Sequence, residues 1–265
     1  MLIADTHVHL YDCYDLSEVF DMACNNLEEL YQRNHGYSES AGTDPVMMLF
    51  LTERHGTFFF RKLKEGQLLE STDYQLESCP DESSILLRSP KGKALYLIAG
   101  RQIVTQENIE VLALTTDIND LEGKPIHNVI NAIRDANGIP VLSWSLGKWF
   151  FKRGRIVKNI LKQYELGEVI VGDIPLRPNI WPEPRVMRWA SHKGFMVAGS
   201  DPLPFEGEER QIGTYGIIVS STFNIQSPTT SVRQIFRNPQ KRVRIEGSRN
   251  SIWHAFQRVH AMARK

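Results

Sequence analysis

Cysteine is scarce in this sequence: Cys13, Cys24 and Cys79 are the only three in 265 residues. They form no Cys-x-x-Cys pair, and an odd number closes no disulfide framework, so the expected compartment is a reducing one. Apolar runs long enough to span a bilayer are also missing, and no charged segment precedes an apolar leader-like stretch. The expectation is therefore a cytoplasmic protein with no membrane partner. An excess of one charge is absent too: Lys+Arg and Asp+Glu both total 31. Nothing global argues for a nucleic-acid partner. Charge is nonetheless uneven, with acids concentrated between Met1 and Ser40 and bases between Thr229 and Lys265, where Glu246 is the lone acid. Solvated helix faces account for such runs.

What is present is an ordinary globular composition, 42% hydrophobic and 23% charged, at a length suited to one barrel-sized domain. Ile3 to Leu10 opens with an apolar strand pattern that turns polar as Asp5-x-His7-x-His9, and strict alternation puts these three side chains on one face. Imidazole nitrogens bind Zn, Mn or Fe, and a nearby carboxylate ligates the ion or orients a ring. Asp15 to His35 then shows helical spacing, a strand-then-helix unit suited to an α/β barrel.

Between Val46 and Thr115 the pattern becomes a series of short β-rich runs, among them Thr57–Leu63, Lys93–Ile98 and Gln102–Thr105, with Ser89-Pro90-Lys91-Gly92 as a hairpin turn. From Pro125 the α/β rhythm returns. Helices are expected at Ile126–Asn137, Gly154–Tyr164 and Glu183–Lys193, with strands at Ile139–Trp144, Glu168–Asp173 and Phe195–Asp201 between and after them. Two terminal helices follow, Thr230–Arg237 and Arg249–Arg264. The fold class read from this order is α/β, a distorted or incomplete (β/α) barrel with an antiparallel β-rich region at about residues 46–115 in mid-chain. Residues 1–228 form the barrel domain, and 229–265 a helical basic extension packed on it.

Functional groups in such barrels gather at the carboxyl ends of the strands. Ala198-Gly199-Ser200-Asp201 ends a late strand in a carboxylate, and barrel closure brings that strand back to the first. Asp201 is thus a candidate ligand or water-orienting catalytic base beside His7 and His9. Glu110 or Asp173 would supply one further carboxylate, and Asp5 and Asp173 are candidates to support the ligands without touching the ion. Lys148, Lys152, Arg153 and Arg155 cluster in a loop and at the start of the helix after it, a pattern suited to an anion site for a phosphate group, and Arg177 after Asp173 is a candidate to join them.

Asp-x-His-x-His resembles the opening motif of the amidohydrolase-like barrels and, more particularly, of the PHP (polymerase and histidinol phosphatase) family. Gly199-Ser200-Asp201, followed by Ile212-Gly213-Thr214-Tyr215-Gly216, is similar to the PHP family's late Gly-Ser-Asp-x-His motif and the glycine-containing segment after it. Residues 126–144 are similar to its helix and strand before a His-Pro dipeptide. The resemblance runs to about Tyr215 and is weakest in the β-rich region. Trp144-Ser145 replaces His-Pro, Leu203 replaces the histidine two residues after Asp201, and Glu107 or Glu110 stands nearest to the family's glutamate. The resemblance implies a metal-dependent hydrolase with a divalent ion (Zn, Mn or Fe), acting on a small phosphorylated substrate. The rivals are an amidohydrolase-like C–N hydrolase and a degenerate barrel used for binding.

Overall fold

A computed structural model describes residues 1–35, 45–145, 149–165, 167–193, 196–238 and 243–263. Its centre is one sheet of 11 strands that curls toward a barrel. The first strand, β1 (Leu2–Val8), leads into helix α1 (Leu16–His35) and returns parallel to itself in β2 (Val46–Glu53). A short helix, α2 (Phe59–Lys64), precedes β3 (Gln75–Glu77), β4 (Ser84–Arg88), β5 (Ala94–Val104) and β6 (Glu110–Leu114). Next come α3 (Ile126–Asp135), β7 (Ile139–Ser143), α4 (Phe151–Gln163), β8 (Ile170–Asp173), α5 (Arg185–His192) and β9 (Met196–Ala198). A single 3₁₀ turn (Glu208–Gln211) leads to β10 (Tyr215–Val219), α6 (Pro228–Arg237), β11 (Val243–Gly247) and α7 (Ile252–Ala263).

The strand order is β11-β10-β1-β2-β5-β6-β7-β8-β9, with β3 and β4 forming a hairpin on the flank of β5. Strands β1, β2, β5, β7, β8 and β9 share one direction; β6 and β10 run against their neighbours. This reversal puts the start of β6, at Glu110, beside the carboxyl end of β5, since Glu110 pairs with Val104. Closure is made by β9 on β1: Thr6 Oγ1 donates to Ala198 O at 2.8 Å and the Asp201 N–H donates to His7 O at 2.9 Å.

Alternating side chains build two layers. Leu2, Ala4, Phe50, Leu112, Val141 and Ile217 fill the barrel interior, and α6 plugs one end with Val232, Ile235 and Phe236. The outward faces pack under α1 and α2 on one side and under α3, α4 and α5 on the other.

Three expectations change. Thr57–Leu63 carries strand-favouring aromatics, yet residues 59–64 are helical, because Phe59, Phe60 and Leu63 fall on one buried face and the Glu53 carboxylate accepts the Phe60 N–H. Lys93–Ile98 and Gln102–Thr105 are one continuous strand. Gly100, which reads as a break, lies inside β5, where a Cβ would sit 3.1 Å from both Leu51 O and Ala113 O. The C-terminal segment is not purely helical: β11 extends the sheet through five pairs with β10, from Tyr215↔Gly247 to Val219↔Val243.

Candidate metal centre

The site begins with a break in β1. Register with β2 shifts between Asp5 and Val8, so Ile3 and Val8 both pack in the outer layer, which simple alternation forbids. His7 and His9, flanking Val8, meet at the carboxyl end of the strand with their Nε2 atoms 3.1 Å apart. Asp5 does not join them. Its Oδ1 accepts the backbone N–H of His7 (3.1 Å) and of Ser200 (2.9 Å), and its Oδ2 accepts that of Gly213 (2.9 Å). Burial pushes the Asp5 carboxyl up to about 6 against the pull of these donors. Asp5 therefore ties together the backbones that carry His7 and Asp201.

Asp201 follows β9 after Gly199 and Ser200. A Cβ on Gly199 would fall 2.2 Å from His7 N, so only glycine lets the two chain segments pass this closely. Asp201 itself has φ +45°, the left-handed region that costs a non-glycine residue about 1–2 kcal/mol. This pose brings Asp201 Oδ1 to 3.5 Å from His7 Nε2 and 3.4 Å from His9 Nε2.

These three separations test whether a metal ion fits. Ligand atoms held about 2.1 Å from one ion at angles between octahedral and tetrahedral lie about 3.0–3.4 Å apart, and opposite octahedral ligands about 4.2 Å. The observed 3.1 and 3.4 Å fall in the first range and 3.5 Å lies just beyond it, all well short of the separation of opposite ligands. His7, His9 and Asp201 would thus hold an ion from one side. Among the described residues, this is the group of three metal-binding side chains whose ligand atoms all lie within 4.8 Å of one another. Protonation states agree. Burial, with His9 adding to it, holds the His7 imidazole below its ordinary range, which favours the uncharged ring at neutral pH. Burial alone would raise Asp201, but the facing His7 and His9, with the Arg258 guanidinium, bring it down to about 2.

No family model matches the chain, and no curated protein matches it. Among solved structures it is similar to PsfC from Pseudomonas syringae, with a TM-score of 0.54 at 10% identity over 99% of this chain and 98% of that one. That likeness shows the fold. A two-domain protein from Bacteroides vulgatus, containing a predicted PHP-like metal-dependent phosphoesterase, is similar at a TM-score of 0.45 and 14% identity. The lesion-specific endonuclease PfuEndoQ from Pyrococcus furiosus is similar at 0.45 and 10% identity. The chain spans 64% of the first of these two and 57% of the second.

His9 and Asp201 line a cleft of about 350 Å³. Its polar lining includes Tyr11, Arg54, Gln102, Glu110 and Ser145. Gln102 Oε1 lies 2.9 Å from His7 Nε2, and Ser143 Oγ lies 3.4 Å from His7 Nδ1. Glu110 accepts the Ser145 hydroxyl and favours a protonated His7, but it stands outside the three-ligand group. Asp173 and Arg177, expected to serve the ligands and a phosphate, are given to each other. Both are buried, Arg177 Nε donates to Asp173 Oδ1 at 2.7 Å, Nη2 bonds Oδ2, and the Tyr215 hydroxyl donates to Asp173 Oδ2 at 2.9 Å. Arg177 is thereby committed to an internal ion pair rather than to a substrate. Arg153 is half-buried in the first turn of α4 and does not line the cleft, and Lys148 lies outside the described residues.

Sequence reasoning missed Arg54, Gln102 and Tyr11. Gln102 carried a usable signal, a polar side chain near the end of a barrel strand. Arg54 and Tyr11 follow β2 and β1 by one and three residues, the loop positions where barrel function gathers.

Proposed function

We propose that this chain is a divalent-metal-dependent hydrolase of the PHP type, acting on a small phosphate ester. The observation that carries the reading is the convergence of His7, His9 and Asp201, their candidate ligand atoms 3.1 to 3.5 Å apart, with His9 and Asp201 lining a cleft. Three protein ligands with open positions are the pattern of catalytic rather than structural metal sites. A bound divalent ion supplies Lewis acidity there, polarising a phosphoryl oxygen and acidifying water. His7 and His9 would hold it through their Nε2 atoms. Asp201, ionised throughout the neutral range, is both anionic ligand and hydrogen-bond acceptor for the attacking water. Glu110 is the reserve carboxylate of the cleft, and Arg54, in its lining, is a candidate for the phosphate role alongside Lys148. The lining also includes Ile174, Leu176, Leu203, Pro204, Val259 and Met262, apolar surface suited to an alcohol with an apolar body.

Elemental analysis of protein purified without chelator is the test. About one divalent ion per chain, lost in a His7→Ala/His9→Ala variant, is expected, together with metal-dependent release of phosphate from a panel of small esters. Absence of metal after reconstitution with Zn or Mn overturns the reading and leaves a binding barrel. A second reading rests on the donor set: two imidazoles and one carboxylate on one face also bind ferrous iron in oxygenases. Selective retention of iron under anaerobic purification, with oxygen uptake and no ester hydrolysis, would favour it.

A further inference from the structure

The C-terminal helix α7 is held by few contacts. Ile252, Trp253 and Phe256 are 50%, 67% and 58% exposed, and among its described side chains only Ala255 and Arg258 are fully buried. Arg258 is 3% exposed and lies against Glu208, itself buried, on the 3₁₀ turn. Its Nε donates to Glu208 Oε1 at 2.8 Å and Oε2 at 3.1 Å, while Nη2 reaches Asp201 O at 3.2 Å as well as Glu208 Oε2. Glu208 Oε2 also accepts the Leu203 N–H at 3.0 Å, and the Tyr14 hydroxyl donates to Leu203 O at 2.6 Å.

The segment Asp201–Leu203 is thus pinned at four backbone groups: Asp201 N by His7 O, Asp201 O by Arg258, Leu203 N by Glu208 and Leu203 O by Tyr14. Asp201 needs such restraint, because its positive φ is unfavourable and persists only where the surroundings over-determine it. We infer that Arg258, locked by Glu208, is a positioning residue that keeps Asp201 in its ligand pose and couples the docking of α7 to the integrity of the metal site. The next residue on α7, Val259, and Met262 line the cleft, so the same helix that holds the ligand closes one wall around it. The part concerning metal rests on the function proposed above; the part concerning the backbone pose does not.

The experiment uses the full chain with Arg258→Met and Glu208→Gln. In metal-free protein, amide hydrogen exchange of the segment 199–205 should rise about tenfold or more in each variant, with the strands of the barrel unchanged. In parallel, Co(II) titration followed by its visible absorption should show binding weakened about tenfold or more and altered bands. Exchange at 199–205 equal to wild type, in a folded variant, overturns the inference, as does a rise spread evenly over the whole chain. Should Arg258→Met not fold, Glu208→Gln, which keeps the side-chain shape, decides on the same readouts. A wild-type protein that takes up no cobalt defeats the hydrolase reading while the exchange comparison still judges Arg258.

Discussion

Gly199 shows how much of the site rests on a missing side chain. His7 N, His7 Cβ and Asp5 Oδ1 lie 2.2, 2.5 and 2.7 Å from where a Cβ would be, and two of these atoms belong to the ligand-bearing residue. Gly199→Ala must push β1 and β9 apart. Overpacking of a yielding core costs about 1–3 kcal/mol, and unyielding backbone puts this variant at or above about 3 kcal/mol. The loss is read as a lower urea midpoint at unchanged slope. Metal uptake should fall with it, because His7 moves against Asp201. The motif letters identified His7, His9 and Asp201 as a group, and strand ends explain why. They named Asp5 as a support for these residues but not how it acts, because its three backbone donors come from residues 2, 195 and 208 positions away.

At the level of elements, α2 is the instructive case. Thr57 to Leu63 has the composition of a strand, but α2 needs only one turn and a half to bury Phe59, Phe60 and Leu63 under the sheet. Burial of one face outweighed local propensity. Leu63 is fully buried in the outer cluster, so Leu63→Ala should cost about 2–5 kcal/mol in chemical denaturation, where a surface position in the same helix such as Lys64 should cost well under 1 kcal/mol. β11 shows the opposite failure. Val243-Arg244-Ile245-Glu246-Gly247 is partly exposed and charged, and its apolar/polar alternation is only four residues long, too short to stand out between two helical segments. It becomes one because β10 offers an unpaired edge beside it.

Across the whole molecule, the barrel ends carry different kinds of burial: apolar closure by α6 at one, buried ionisable groups at the other. Glu53 belongs to the second kind. Burial raises its carboxyl from 4.5 to about 7, against the Phe60 N–H and Arg101, whose Nη1 lies 3.2 Å from Glu53 Oε2. The folded state therefore binds this proton more tightly than the unfolded chain. Its contribution to stability is complete below pH 4.5 and is lost as pH rises through about 7. Urea midpoints measured across that window should fall in wild type relative to Glu53→Gln. Parallel curves would mean that Arg101 keeps Glu53 ionised inside the fold. No described helix is long and apolar enough to cross a membrane.

By itself the sequence determined the alternation of strands and helices from Pro125 to Asp201, the first strand and its helix, and the pairing of an early His-x-His with a late carboxylate. These are local patterns, written in side-chain period and in residues at strand ends, and they survive without knowledge of neighbours. Tertiary structure alone decided the rest: that a bulge turns His7 and His9 away from Asp5, that Asp173 and Arg177 neutralise each other, and that Arg258 reaches back to Asp201. Each of these depends on which distant groups barrel closure brings within hydrogen-bond reach, and no spacing along the chain encodes that distance.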